Sequence, residues 1–225
     1  MKAASDAPDA VSSPTLTETL RAKIEQSIYD GELQLGEAIS DKRLCERYQA
    51  SRTPVREALL QLAAQGLIDV VPRSGMFVAK AGLKELASLL EVFTQMEGVA
   101  ASLAARRMTG EQRRLLAETQ ATNQHYVDAV DAAAYRQGNA EFHEIIYHGC
   151  ANEVLANQIR SLRKRMSLYR RDVFDNPARI AQSHQEHLDI MKAIVAGEEE
   201  ASRQAVLRHH ASGGQALTDL MMLAN

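Results

Sequence analysis

The chain has 225 residues, enough for one large or two ordinary domains, and a formal net charge of −3 at pH 7. It is 45% hydrophobic but only 4% aromatic, and no apolar run approaches the ~18 residues that span a bilayer. These features argue against a membrane protein and against a globally basic nucleic-acid-binding protein. The low aromatic content and the abundance of helix-forming residues favour a mainly helical fold.

The amino terminus, residues 1–14, lacks the apolar core of a signal peptide and predicts a disordered tail. The two cysteines, Cys45 and Cys150, form neither a disulfide framework nor a zinc-binding spacing. They fit a reducing compartment, so we expect a cytoplasmic protein that has no membrane partner.

Residues 15–80 predict three helices followed by a β-hairpin, which is the order of a winged helix-turn-helix. Gly31 and Gly66 end the first and third helices, and either Ser51 or Thr53 caps the third. The predicted helices cover 16–29, about 40–48 and about 51–65, and the two strands of the hairpin cover 67–71 and 76–79.

The third predicted helix has one apolar face, formed by Val55, Ala58, Leu59, Leu62 and Ala63. Arg52 and Arg56 lie four residues apart on the other side, with Thr53 beside them. Arginine can donate paired hydrogen bonds to guanine in the major groove, and hydroxyls near a helix start can hold phosphates. An ordinary solvated helix face has the same pattern, but the preceding short helix and the hairpin favour a DNA-reading helix.

Any attraction to DNA in this region must be local. Residues 15–80 contain nine Lys or Arg and nine Asp or Glu, whereas 42–56 contain five basic residues and Glu46 as the single acidic one before Arg56. Gly75 in the hairpin turn lets the backbone approach DNA closely, although a hairpin glycine needs no function.

The segment LCERYQASRTPVREAL at 44–59, followed by Leu62 and by GLI at 66–68, resembles the winged helix of the GntR family of bacterial regulators. In that family the positions of Lys42, Ser51, Arg52 and Arg56 contact DNA, and the wing glycine lies at the minor groove. With Thr53 added from the helix pattern, we therefore expect DNA contacts from Lys42, Ser51, Arg52, Thr53, Arg56 and Gly75.

Every long segment beyond Gly82 has helical periodicity, so 81–225 predict an all-helical antiparallel bundle. We expect this domain to bind a ligand and to dimerise. The predicted helices cover 83–107, 111–128, 131–148, 153–173, 179–196 and 199–222.

Three histidines fall on inward faces of three predicted helices: His143, His187 and His209. Asn139 lies four residues before His143, on the same face. A single inward histidine is usually a hydrogen-bonded core residue, but three imidazoles and one oxygen form a suitable site for a divalent metal. Other histidines receive no functional assignment: His125, His148 and His210.

The motifs Asn139-x-x-Phe142-His143, Ser183-x-x-Glu186-His187-x-x-Ile190 and Ala205-x-x-x-His209 resemble the FCD domain of FadR-like GntR regulators. The resemblance implies a metal, zinc or nickel, held at Asn139, His143, His187 and His209, and a small organic acid as effector. Asn139 replaces the usual Asp and brings no negative charge. Phe93 stands where many relatives carry an arginine, so another group must bind the acid.

The predicted helix 153–173 carries several basic residues around its apolar stripe. Arg163, Arg165 and Arg170 flank that stripe, and we select Arg165 as the candidate for the carboxylate of the acid. His184, one turn before His187, is expected to touch the ligand or to orient a metal-bound water, and a supporting role outside the ligands is an equal alternative.

The sequence thus predicts a ligand-responsive transcription regulator that binds a palindromic operator as a homodimer. We expect this regulator to be a repressor. The alternative is a metal-dependent, hydrolase-like enzyme built on the histidines. It lacks a paired general base, because Glu144 and Glu186 are predicted to point off the ligand faces. A non-specific architectural DNA protein is disfavoured by the overall acidity. We therefore expect no enzymatic activity.

Overall fold

A computed structural model describes residues 14–169 and 174–223, with side chains described to residue 214. The expected tail therefore lies outside the described residues, except for Pro14. The chain divides into two compact units, Met1–Lys80 and Ala81–Asn225. Among the described helices, none is both long enough and apolar enough to cross a membrane.

The first unit is a winged helix-turn-helix, as predicted. Its elements are α1 (Leu16–Tyr29), β1 (Ala38–Ile39), α2 (Asp41–Tyr48), α3 (Arg52–Ala64), β2 (Ile68–Val71) and β3 (Gly75–Val78). The antiparallel sheet has the order β1-β3-β2, with Ala38 opposite Phe77 and Ile68 opposite Val78. Strand β1 was not predicted, because two residues are too few to show a period.

Local signals in the sequence set the helix boundaries of this unit. Thr15 and Glu18 form a capping box at the start of α1, and the Ser40 side chain accepts a hydrogen bond from the Arg43 amide at the start of α2. Gln49 ends α2 in the left-handed conformation, with φ of 50°, and the chain turns there into α3. The core between α1 and α3 is apolar and buried, and it includes Leu20, Ile24, Ile28, Val55, Leu59 and Leu62.

The second unit is all-helical, as predicted, with α4 (Leu83–Arg107), α5 (Gly110–Asp128), α6 (Ala132–Gly149), α7 (Glu153–Ser167), α8 (Pro177–Ala196) and α9 (Glu199–Leu223). The prediction that α7 continues to residue 173 is wrong for its described part. The helix ends at Ser167, and the Tyr169 amide bonds back to the Met166 carbonyl in a tighter turn. Residues 170–173, including the candidate Arg170, lie outside the described residues.

Small residues let the helices of this unit approach closely. Helix α4 packs along α9, α7 and α8, and its buried face carries Ala100, Ala101, Ala104 and Ala105. Helices α5 and α6 pack together, and α8 packs against both α5 and α9. Inside this apolar frame lie buried polar side chains, above all His143, His187, His209, His210 and Glu97. Such groups need partners or a function.

Candidate functional site

Helix α3 is held by its apolar face and displays its polar face. Val55, Leu59 and Leu62 are fully buried, whereas Arg52 and Arg56 are exposed. Neither arginine has a hydrogen-bond or ion-pair partner among the described residues. Both guanidinium groups are therefore available to an external acceptor such as a base edge or a phosphate.

The other predicted DNA-contacting residues are exposed as well. Ser51 occupies the N-cap position of α3, yet its hydroxyl makes no capping hydrogen bond. Thr53 lies in the first turn, and Lys42 on α2 is only 3.9 Å from Glu46, both side chains being largely solvated. Within the described residues, the start of α3 thus presents two hydroxyl-bearing residues and two arginines without partners, and these residues remain predicted contacts.

Fewer basic side chains of residues 42–56 are unpaired in the structure than the number of lysines and arginines in this segment suggests. Arg47 pairs with Glu32, and Arg43 lies 3.7 Å from Glu37. Both acidic partners lie before α2 in the chain, outside residues 42–56. Arg43 and Arg47 on α2 are thus paired with acidic residues, whereas Arg52 and Arg56 on α3 have no ion pair among the described residues.

The hairpin between β2 and β3 forms the wing. Gly75 is exposed, has φ of 115°, and has no atom within 4 Å of the position where a Cβ would stand. The glycine is thus required by backbone conformation rather than by crowding. Arg73 at the tip also has a positive φ, 65°, which turns the chain between the strands.

In the second unit, α6, α8 and α9 bring His143, His187 and His209 together. All three side chains are buried. One ring nitrogen of each histidine lies within 4.8 Å of one ring nitrogen of each of the other two. The ring centroids of His187 and His209 are 4.7 Å apart, and Phe142 stacks on His187 at 4.3 Å. Three of the four predicted ligands therefore form a group that could hold a metal ion.

Two of these histidines are backed by buried or half-buried carboxylates. Glu97 on α4 lies 3.3 Å from Nδ1 of His143, and Nδ1 of His209 donates to Glu186 at 2.8 Å. The prediction that Glu186 points off the ligand face is wrong, because one turn of α9 lies alongside α8 at this level. Carboxylates in this position fix the imidazole tautomer and leave Nε2 for a metal. Glu144, by contrast, pairs with Arg160.

Burial keeps the three imidazoles neutral. It lowers the pKa of His143 to about 4 and that of His209 to about 3, although Glu97 and Glu186 oppose the shifts. It also holds the pKa of His187 well below its usual range. Neutral imidazole is the form that ligates metals, so the group is ready to do so at neutral pH.

The donor set fits a divalent metal cation. Both ring nitrogens of His187 are buried and have no hydrogen-bond partner among the described residues, which is costly for a polar group in a core. Asn139 is half-buried, one turn before His143, and its amide makes no hydrogen bond within the described part of the chain. Its role as an oxygen ligand stays a prediction.

Glu97 is the centre of a buried hydrogen-bond network that was not predicted from the sequence. Its carboxylate accepts from Tyr147 and His210, and Arg163 lies 3.3 Å away. Burial raises the pKa of Glu97, but His143 and His210 outweigh this effect and hold the pKa well below its usual range. The available signal was a lone acidic residue on the alanine-rich face of α4.

The structure separates the candidate ligand-binding residues. Arg165 lies 3.0 Å from Glu85, whereas Arg163 reaches inward and donates to Tyr147 at 2.9 Å. The role of Arg165 stays a prediction that its position does not favour. His184 is buried, and its Nδ1 accepts from the Gln120 amide at 2.8 Å. A supporting role therefore suits His184 better than a direct contact.

Phe93 belongs to the core of the helical unit. It is fully buried and packs edge-to-face on His210, with ring centroids 5.1 Å apart. This position therefore supplies no positive charge. Among the described residues, the guanidinium that lies close to Glu97 is that of Arg163.

Comparisons with known proteins agree with this architecture. Residues 16–78 match the family model of bacterial regulatory proteins of the gntR family, and residues 88–212, more than half of the chain, match the FCD domain. The chain is 25% identical to the Escherichia coli regulator McbR over 85% of this chain and 88% of that one. It is 24% identical to the E. coli repressor RspR over 77% and 76%.

A solved structure of E. coli McbR/YncC shares the fold, with a TM-score of 0.77 and 24% identity over 93% of this chain and 100% of that chain. A second solved structure, a transcriptional regulator from Rhodococcus sp. RHA1, has a TM-score of 0.70 at 20% identity and covers 90% and 97%. The winged helix-turn-helix, the helical domain and both family matches lead to one conclusion: the chain belongs to the GntR family of bacterial transcription regulators and carries an FCD domain, so it is a DNA-binding regulator and not an enzyme.

Proposed function

We propose that this regulator is a cytoplasmic repressor that binds a palindromic operator as a homodimer and is released or retuned by a small organic acid. The observation that supports this proposal most is the buried group of neutral imidazoles, His143, His187 and His209, in the FCD domain. A core does not need such a group for stability. The name of the relative RspR, a transcriptional repressor, supports the sign of regulation.

In the proposed DNA complex, α3 enters the major groove. Arg52 and Arg56 would read guanine, because their guanidinium groups are exposed and unpaired among the described residues. Lys42 and the hydroxyls of Ser51 and Thr53 would hold phosphates, and the wing at Gly75 would lie at the minor groove. One such unit makes few contacts, so two copies on two half-sites would supply the affinity.

In the helical domain, a divalent metal would be held by the three histidines, with the Asn139 oxygen as the fourth ligand. The metal would supply positive charge to which a carboxylate can bind. Glu97 and Glu186 orient His143 and His209 through their Nδ1 atoms. An acid bound there can change operator affinity only if it binds unequally to the two arrangements of the protein.

The experiment starts with a palindrome selected by the full-length protein from random DNA and measures its binding by fluorescence anisotropy. Arg52→Ala and Arg56→Ala are each expected to weaken specific binding by about 1–3 kcal/mol. Arg114→Ala, on the exposed face of α5, removes the same charge and is expected to change nothing. Equal affinity of the wild type for all sequences would contradict the proposal.

The metal is tested separately by elemental analysis of protein purified without a metal-affinity tag. We expect about one divalent ion per chain after loading with zinc or nickel, and loss of that ion in His187→Ala. Absence of a retained ion in the loaded wild type would reject the metal centre while leaving the DNA-binding proposal intact.

A further inference from the structure

The wing carries one arginine at its tip. Residues 67–79 contain Arg73 as the single basic residue and Asp69 as the single acidic one. Arg73 is exposed and has no hydrogen-bond or ion-pair partner among the described residues. The proline before it and the serine and glycine after it are compact and uncharged. The tip is therefore a narrow turn of backbone that displays one long cationic side chain.

The turn holds Arg73 in a conformation that glycine adopts more easily. The amide of Ser74 donates to the carbonyl of Val71 at 3.0 Å, so Pro72 and Arg73 are the two central residues of the turn. The φ of Arg73 is 65°, and a type II turn requires a positive φ at its second central residue. A side chain there costs conformational free energy relative to glycine, and such costs are typical of functional positions. The fold alone therefore does not account for an arginine at this position.

The hairpin is fixed to the end of α3. The amide of Leu67 donates to the carbonyl of Leu62 at 3.0 Å, and the amide of Ala79 donates to the carbonyl of Leu67 at 3.0 Å. Ile68 and Val78, which pair at the base of the hairpin, are both buried. The wing therefore keeps its place beside α3. When α3 enters the major groove, the tip of the wing meets the neighbouring phosphates or the adjacent minor groove.

The charge pattern of the wing favours the groove over the phosphates. A surface that follows the DNA backbone needs several cations, because each cation neutralises a single phosphate. The wing has one, at its narrowest point. The minor groove of B-DNA is about 6 Å wide, and in A·T-rich segments it is narrower and has a more negative potential, which attracts an inserted arginine. Val71, beside the turn, is exposed and offers an apolar surface to the sugars that line such a groove.

We propose that Arg73 inserts into the minor groove and selects operators that have a short A·T-rich segment beside each site contacted by α3. A·T pairs present only acceptors there, N3 of adenine and O2 of thymine, to which a guanidinium group can donate. Guanine adds an exocyclic amino group, a donor that competes with the arginine for the same acceptors. This inference rests on the proposed DNA complex and adds to it a specificity-determining residue outside α3 and the base composition that it selects.

The first test uses the full-length wild type, its selected palindrome and fluorescence anisotropy. 2,6-Diaminopurine replaces adenine at each A·T pair in turn, which leaves the major-groove edge unchanged and adds the minor-groove amino group of guanine. At adjacent pairs beside each half-site, this change is expected to weaken binding about tenfold. Replacing the same pairs with G·C should weaken binding equally, and inosine·C, which lacks the amino group, should restore it. If no A·T pair beside the half-sites responds in this way, the inference is wrong.

The second test removes the side chain and keeps the turn. Arg73→Gly is compatible with the positive φ at this position, and we expect it to bind the adenine and diaminopurine operators equally. Lys23→Ala, on the exposed face of α1, removes the same charge from the same unit and should keep the wild-type ratio of the two affinities. If Arg73→Gly also keeps that ratio, whether or not it weakens binding to both operators, Arg73 does not read the groove and the inference is overturned.

The two levels of the proposal fail differently. If Arg52→Ala and Arg56→Ala leave specific binding intact, the proposed DNA complex is overturned, and this inference with it. If those variants weaken specific binding but diaminopurine does not, only this inference is overturned. Thermal unfolding confirms that each variant is folded, and the wild-type series of modified operators decides the question even where a variant does not fold.

Discussion

At the residue scale, the negative charge near the histidine group comes from carboxylates that lie behind the imidazoles. Glu97 and Glu186 contact Nδ1 of His143 and His209, whereas the fourth predicted ligand, Asn139, is a neutral amide. A carboxylate hydrogen-bonded to an imidazole makes that imidazole a stronger metal ligand. It adds less to the metal affinity than a carboxylate that binds the ion directly. The site is therefore expected to bind a metal more weakly than one with a directly bound aspartate.

Restoring the acidic ligand tests that expectation. Asn139→Asp should raise zinc affinity on the order of tenfold, because a charged oxygen replaces a neutral one beside the cation. Competition with a chromogenic chelator measures the affinity. Asn157→Asp on the exposed face of α7 adds the same charge at a distance. Equal affinities for both variants and the wild type would show that residue 139 does not ligate the ion.

The arginines of α3 allow charge and geometry to be separated. Arg52→Lys and Arg56→Lys keep the positive charge but lose the fork that donates two hydrogen bonds to guanine. Each is expected to weaken operator binding by about 1–3 kcal/mol while the binding to random DNA and its salt dependence stay the same. Anisotropy titrations at several salt concentrations measure both. Parallel losses on operator and random DNA would indicate phosphate contacts instead.

At the element scale, the predictable parts were those with a period or a cap. Helix α3, with Val55 and Leu59 on its apolar face, and the long helices of the FCD domain follow from apolar spacing and from glycine or proline breaks. Strand β1 was missed because its two residues pair with β3 across more than thirty positions. The early end of α7 was missed because apolar spacing continues past the point where the helix stops.

The same distinction applies to the site. His143, His187 and His209 could be predicted because each falls on an inward helix face. The partners of Glu97 could not, since helical periodicity shows that a residue is buried but not which helix lies opposite. The inward reach of Arg163, in place of Arg165, depends on packing between α4 and α7 in the same way.

One arginine at the start of α5 binds the C-terminal ends of two other helices of the FCD domain, and its removal should destabilise the bundle. Arg113 on α5 donates to carbonyls at the C-terminal ends of α4 and α8: Ala105, Met108, Ile194 and Val195. Arg113→Ala should lower the free energy of unfolding by about 2–3 kcal/mol, because these carbonyls lose a charged donor. Urea unfolding measures the change. The exposed neighbour Arg114→Ala should stay within about 0.5 kcal/mol, and similar values for the two would contradict the prediction.

At the scale of the whole molecule, the buried histidines couple folding to metal and pH. An ion that binds the folded chain and not the unfolded one stabilises it by mass action. Protons act in the opposite direction, because they bind the exposed imidazoles of the unfolded chain at about pH 6.5 and bind His143 and His209 only near pH 4 and 3. Metal binding therefore shifts the folding equilibrium towards the folded chain, whereas protonation of the histidines shifts it towards the unfolded chain.

The metal-free protein should consequently lose stability as the pH falls from about 6.5 towards 4. In that window the unfolded state binds more protons, so each buried histidine contributes a slope of up to about 1.4 kcal/mol per pH unit. Urea unfolding at pH 7, 6 and 5 measures the slope, which should decrease in His209→Gln because one of the buried imidazoles is gone. Zinc should raise stability most at pH 7 and least at pH 5, since the ion requires neutral imidazoles. A metal-free slope that is flat, or that His209→Gln leaves unchanged, would mean that these imidazoles are not held neutral by burial.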